Sequence, residues 1–128
     1  MSTRSQIFVE ASGVIIYRHN DGYPDGPSGV LATLCPVVQV FHSQHGHDVH
    51  YMPAQILFAM KPTAPGILGF GILGFGIEGH NDELQGDIEF LYIVRKNGQI
   101  EVREPGGTNK MADTVLLYVV NLDGEKLK

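Results

Sequence analysis

The chain has one cysteine, Cys35, so no disulfide can close within it. Cys35 sits in the apolar run 30–41, where a thiol packs as a small hydrophobe. No basic neighbour in sequence activates it as a nucleophile. Charge is sparse as well. Nine basic residues stand against fourteen acidic ones, giving a net charge of −5. Phosphate contacts need a basic face, so this balance excludes the usual kind of nucleic-acid binder. It equally excludes a polybasic membrane anchor. No apolar run approaches the ~18 residues of a membrane span. The opening MSTRSQ lacks the charged-then-apolar layout of a signal peptide. The expectation is a cytoplasmic protein with neither membrane nor nucleic acid as partner.

What the chain does have is apolar mass. It is 43% hydrophobic over 128 residues, enough for a core at the usual size of one domain. The expected organisation is a single domain, 1–128, with a frayed polar tail over 124–128.

Residues 6–11 and 14–18 are rich in β-branched and aromatic side chains and flank Ser12-Gly13, which predicts a hairpin. Val14, Ile15, Ile16 and Tyr17 would be apolar on both faces of a strand, so the second strand is expected to lie centrally. Residues 20–29 hold Asn-Asp-Gly, Tyr-Pro-Asp-Gly and Pro-Ser-Gly, the densest turn chemistry in the chain. Ser28 is placed to cap the next element. Leu31, Leu34, Cys35, Val38 and Phe41 recur at helical spacing and predict a helix over 30–45. Gly46 should end it. Pro36 should kink or break it, because proline lacks an amide donor and clashes with the carbonyl four residues back. Asp48 can cap a second helix running to Lys61 and stopped by Pro62, with Met52, Ile56, Leu57 and Met60 as its buried stripe.

Strands are expected over 87–95 and 99–104, joined by Asn97-Gly98 as a two-residue turn, and over 114–121. That register would seat Leu91, Ile93, Ile100 and Val102 beneath the helices. Tyr92, Val94, Glu101 and Arg103 would take the other face. Strands outnumber helices and hairpins dominate. The predicted fold class is α+β, an antiparallel β-sheet built from hairpins with two consecutive α-helices packed on one face.

Residues 66–77 read GILGFGILGFGI, a five-residue unit given twice and begun again. Five is odd, so in a strand the second copy turns its Ile and Phe to the opposite face. In a helix the copies sit about 140° apart, and the glycines are costly. One copy, 71–77, is therefore expected as a strand and the other as an extension of the preceding loop. The alternative is an arm of Ile67, Leu68, Phe70, Ile72, Leu73 and Phe75 reaching onto a neighbouring subunit of a homo-oligomer. Such an arm is an aggregation hazard unless a partner covers it. The Gly-Lys-Ser/Thr ending of a phosphate loop is missing.

Three constellations could carry chemistry. His42, His45, His47 and His50 lie with Asp48 in FHSQHGHDVH. Neutral imidazoles with a carboxylate suit zinc or nickel, although a polar helix-joining turn collects solvated histidines too. Arg18, His19, Asp21 and Tyr23 leave the end of a covered strand, where a rigid sheet presents loop residues. There Arg18 can hold an anion, and His19 with Asp21 can transfer protons. The competing reading is a plain turn, since Asp-Gly pairs bond their own backbone. Asp87 and Glu89, two apart, share a strand face as paired carboxylates do.

Tyr17-Arg18-His19-Asn20-Asp21-Gly22-Tyr23-Pro24 resembles the YRHxDGYP signature of small proteins from bacteria and their mobile elements, phages included. The likeness continues through the helical stretch to Gly74-Phe75-Gly76-Ile77 and to residues 86–92, covering about 6–104. It supplies no catalytic residue. It implies that the turn from His19 to Tyr23 belongs to a common plan of the fold. The doubled repeat and the histidine cluster lie outside the shared pattern.

The functional expectation is a self-associating, non-enzymatic binding protein. It would take a protein or a small anionic ligand near 18–23, with Arg18, His19, Asp21, Tyr23 and Glu89 as the candidate contacts. The alternatives are a small hydrolase using His19 and Asp21, and a zinc or nickel protein using the histidine cluster.

Overall fold

A computed structural model describes residues 3–19, 21–60, 75–79 and 83–127, with backbone alone for 75–79. The first hairpin forms as predicted. β1 (Ser5–Val9) and β2 (Val14–Arg18) pair antiparallel, with Phe8 opposite Ile15. Two helices follow, α1 (Val30–His45) and α2 (Met52–Met60). β3 (Phe75–Gly79) then pairs antiparallel along β2. This makes β2 an interior strand, as its doubly apolar sequence requires. β4 (Phe90–Val94), β5 (Ile100–Glu104), β6 (Val115–Val120) and β7 (Lys126–Leu127) follow. The described strands form one sheet of order β3-β2-β1-β4-β5-β6-β7.

The fold is α+β, and most strand pairs are antiparallel. The exception corrects the expectation of a wholly antiparallel sheet: β1 and β4 run parallel, from Ser5 opposite Phe90 to Val9 opposite Val94. The cause is topological. β3 has docked outside β2, so the next strand takes the free side of β1 and runs in the direction of β3. A parallel pair needs such a crossover. The described part of the link carries Leu84 and Ile88 across the face away from the helices. There they bury themselves against Phe8, Ile15, Leu91 and Ile93.

The helix-side core gathers Ile7, Val9, Ile16, Tyr92, Val94, Ile100, Val102 and Val120 from the sheet. Val30, Leu34 and Val38 of α1 and Met52, Ile56 and Met60 of α2 close it. Each fully buried aliphatic side chain contributes about 1.5–3 kcal/mol. The expected seating of β4 is corrected here, because Tyr92 and Val94, not Leu91 and Ile93, face the helices, while Ile100 and Val102 of β5 lie beneath them as expected. The turn is longer than expected. Val94 pairs with Ile100, and the Arg95 amide donates to the Gln99 carbonyl. Lys96, Asn97 and Gly98 thus form a three-residue loop, with Gly98 at φ 88°. A glycine in the left-handed region after a turn is the signature of that loop. One residue of register inverts the faces of a strand.

Other local expectations divide. α1 runs through Pro36 without a break. Its N-cap is Gly29 with no side-chain cap, so Ser28 does not cap it. Asp48 does cap the entry to α2. Its Oδ1 accepts the amides of His50 and Tyr51 at 2.9 and 3.0 Å, and these bonds hold the carboxyl below the usual carboxylate range. Of the tail expected to fray, residues 124–127 are ordered into a turn and a strand. Gly124, at φ 85°, turns the chain, and Lys126–Leu127 pairs with β6. The Lys126 ammonium also lies 4.6 Å from the centre of the Tyr118 ring.

Away from the helices the sheet carries a charge ladder. Arg95 forks onto Glu101 at 2.8 and 3.0 Å, and Arg103 reaches the same carboxylate at 2.8 Å. Burial alone would raise the Glu101 carboxyl, but the hydrogen bonds from Arg95 and Arg103 outweigh it and hold the group below its ordinary range. A carboxyl depressed on folding stabilises the protein fully above its unfolded pKa, about 4.3. That stabilisation is lost as pH falls through the folded pKa. Glu101→Gln is expected to lower stability at neutral pH by about 1 kcal/mol and to flatten the acid limb of the stability curve. Urea unfolding at a series of pH values reads both, and an unchanged acid limb would contradict the assignment.

Candidate functional site

The stretch from β2 to α1 is clamped on every side. The Gly22 amide donates to the Thr3 carbonyl at 2.8 Å, and the Tyr92 hydroxyl donates to the Gly22 carbonyl at 2.7 Å. Tyr92 is fully buried. Burial raises its pKa far above the ordinary tyrosine value, so the hydroxyl keeps its proton and remains a donor. A Cβ on Gly22 would meet the Thr3 carbonyl oxygen at 2.7 Å and Ser5 at 2.8 Å. Only glycine lets the two strands of backbone approach this closely. Further on, the carbonyls of Tyr23 and Pro24 accept the amides of Val30 and Leu31 at 2.8 and 3.3 Å. The loop's own backbone therefore takes up amides that a helix start otherwise leaves open, which is why no side-chain cap is needed.

Strand alternation divides the residues that the sequence groups together. Arg18 follows Ile16 toward the helices. It is 3% exposed, and its guanidinium donates to the Ser28 carbonyl at 3.2 Å. Burial lowers its pKa from the ordinary arginine value, with the Asp21 charge opposing that shift. Asp21 has φ 56° and accepts from the Tyr23 hydroxyl at 3.4 Å. Tyr17 and His19 belong to the opposite side, where Tyr17 packs with Ile15 against Leu84 and Ile88. Glu89 is exposed, and its amide donates to the Arg4 carbonyl at 2.8 Å. His19 and Asp21 are thus held by different partners.

The polar group around His19 includes a residue outside every sequence pattern, Arg4. Arg4 Nε donates to His19 Nδ1 at 3.3 Å and pairs with Asp87 at 3.2 Å. The Tyr17 hydroxyl lies 2.9 Å from the same ring nitrogen. A guanidinium can only donate, so this network assigns Nδ1 as acceptor and leaves the proton on Nε2. His19 is then arranged as a donor rather than as a base.

The histidine cluster is spread over separate contacts. His42 Nε2 lies 3.1 Å from the Lys96 carbonyl, and His47 Nε2 lies 2.6 Å from the Glu10 carbonyl. His45 packs on Phe41 with ring centres 4.8 Å apart, and His50 is exposed. Together with the Gln39 amide on the Leu122 carbonyl, these bonds tie the end of α1 to three turns at one end of the sheet. Among the described residues no group of three or more His, Cys, Asp or Glu is placed to hold a metal ion. Cys35 is half-buried, and burial raises its thiol pKa. Of the repeat, Phe75 opens β3. Ile67, Leu68, Phe70, Ile72 and Leu73 lie outside the described residues; of the strand expected over 71–77, residues 75–77 are described and belong to β3.

The helix layer presents a feature that the sequence patterns do not single out. Between the outer faces of α1 and α2 runs an open groove of about 500 Å³, lined by Val37, Val40, Phe41, Phe58, Gln44 and Gln55 among others. Phe58 is 74% exposed, Tyr51 65% and Val40 57%. Single exposed apolar residues are ordinary, but a contiguous set around a hollow marks an interaction surface. The available signal was the helical period itself. Val40 and Phe58 are apolar at exposed positions that the core-facing stripe does not use, and Val37 and Phe41 pack against the core at its edge.

The clamp yields a stability test. Tyr92→Phe is expected to cost about 1–3 kcal/mol by leaving the Gly22 carbonyl unpaired. Gly22→Ala is expected to cost about 1–3 kcal/mol through overpacking. His19→Ala, at the partly open strand end, is expected to stay near or below about 1 kcal/mol. Urea unfolding ranks the three, and His19→Ala proving the most damaging would contradict the assignment. Compared with known proteins, the chain matches no family model, no curated protein and no solved structure.

Proposed function

We propose that the chain is a non-enzymatic binding protein whose binding face is the outer surface of α1 and α2. One observation carries this reading. Phe58 and Val40, both more than half exposed, line an open groove, on a layer whose inner side is already satisfied by the core. Apolar area of that kind gains free energy when a partner removes it from water. Two features of the strand-end turn support a scaffold role there. Arg18 is buried under the turn, and the Gly22 amide and carbonyl are both engaged. The donor arrangement at His19 favours binding over hydrolysis, since a hydrolase would need that ring as a base.

A second reading keeps a small anionic ligand beside the strand end. It rests on Arg4, whose side chain is 33% exposed and sits with His19 and Tyr17. Asp87 already occupies part of that guanidinium, which weakens its pull on an added anion.

Site-specific photo-crosslinking tests the helix face. A photoreactive residue replacing Gln55, exposed on the groove, is expected to capture protein. The same residue replacing Asp123, exposed in the turn before β7, is expected to capture none. Equal capture at both positions, or none at Gln55, would remove the groove as the binding face.

A further inference from the structure

The occupant of the groove can be argued from charge, given the reading of the helix face as a binding face. Of the nine basic and fourteen acidic residues, only Asp48 falls between Val30 and Met60. Its carboxylate is turned back onto the amides of His50 and Tyr51. α1 and α2 themselves contain no Asp, Glu, Lys or Arg. A helix face built for water carries charged residues opposite its core stripe, and this layer does not. Recognition of a foreign protein commonly uses complementary charge, and here there is none to complement. The whole chain carries a net charge of −5, so copies meeting through charged surface repel one another. The helix layer is the face on which two copies meet without that cost.

The polar groups at the groove point the same way. Gln44, Gln55 and His45 line it, and each holds both a donor and an acceptor. Such a group can bond to its own image in a second copy, whereas a lysine or a glutamate cannot. A two-fold interface makes this demand, because the same patch is used on both sides. Phe58, 74% exposed, projects beside the hollow that it helps to line. From these features we infer that α1 and α2 form the interface of a symmetric homodimer. The Phe58 ring of each copy seats against the groove of the other, with Val40 and Phe41 at the apolar centre and the glutamines at the rim.

Sedimentation velocity on the full untagged chain across a dilution series tests this. The expected result is a species of twice the 14.0 kDa chain mass that dissociates on dilution. Phe58→Glu puts a like charge into both halves of the interface and is expected to leave monomer throughout. Its circular dichroism should be unchanged, because position 58 is exposed. Val40→Glu is expected to do the same and serves if the first variant fails to fold. A wild-type monomer at every concentration overturns the inference, and so does a dimer that both variants leave intact. Hydroxyl-radical footprinting of a wild-type monomer then separates the two ideas. Free oxidation of Phe58 and Val40 would leave the face open to a foreign partner, so only the second copy is lost. Protection of both would mean that the chain covers its own groove, and the binding-face reading falls as well.

Discussion

The hydroxyl of Tyr92 donates to the carbonyl of Gly22 inside the core, and the placement of the helix layer follows from that bond. Gly22 is pinned from its other side by the Thr3 carbonyl. The chain therefore leaves β2 in one direction only. In the next two residues, the carbonyls of Tyr23 and Pro24 meet the first amides of α1. A Cβ on Gly29 would strike the Asp25 carbonyl oxygen at 2.3 Å, so the loop closes this tightly only around glycine. Arg18 lies beneath, 3% exposed, bonded to the Ser28 carbonyl. Residues from β1, β2, β4 and the turn thus converge on one junction. At the far end α1 is tied by Gln39, His42 and, past its cap, His47 to three further turns. A helix fixed at both ends presents its outer face in a defined orientation, which a binding surface needs.

The two faces of the sheet do different work. The helix side is apolar and sealed. The other side mixes a second apolar cluster under Leu84 and Ile88 with the Arg95–Glu101–Arg103 ladder. Charge is concentrated away from the helices, and the helix layer holds almost none. This segregation makes the groove between α1 and α2 chemically distinct from the rest of the described surface. It also explains why histidines collect beside it. Imidazoles and amides satisfy backbone carbonyls at turns without bringing fixed charge into a neutral layer.

Much of the architecture was legible in the sequence. The first hairpin, both helices, the Asp48 cap and the strands around Asn97-Gly98 follow from apolar period and turn chemistry. The errors have physical causes. A three-residue turn at Lys96, Asn97 and Gly98 replaces a two-residue one, and that single step exchanges the helix-facing and opposite sets of β4. The parallel pairing of β1 with β4 depends on where β3 docks, which no local pattern encodes. Arg18 and His19 are neighbours in sequence, yet a strand sends them to opposite faces. Arg4 could not be joined to His19 from sequence, because fifteen positions and a hairpin separate them. The groove is not legible in the sequence because helical period picks out one buried stripe on each helix, and Val40 and Phe58 belong to neither.

The central claim is that the Gly22 turn is a clamp that positions the helix layer. Native-state amide hydrogen exchange tests it most directly. The account predicts that the amides of Gly22, Val30 and Leu31 exchange as slowly as those of Tyr92 and Val94 in β4, opening only with global unfolding. Exchange of Gly22 and Val30 at the rate of an exposed loop glycine such as Gly107 would contradict it. The turn would then open independently of the sheet, and α1 would owe its position to the core alone.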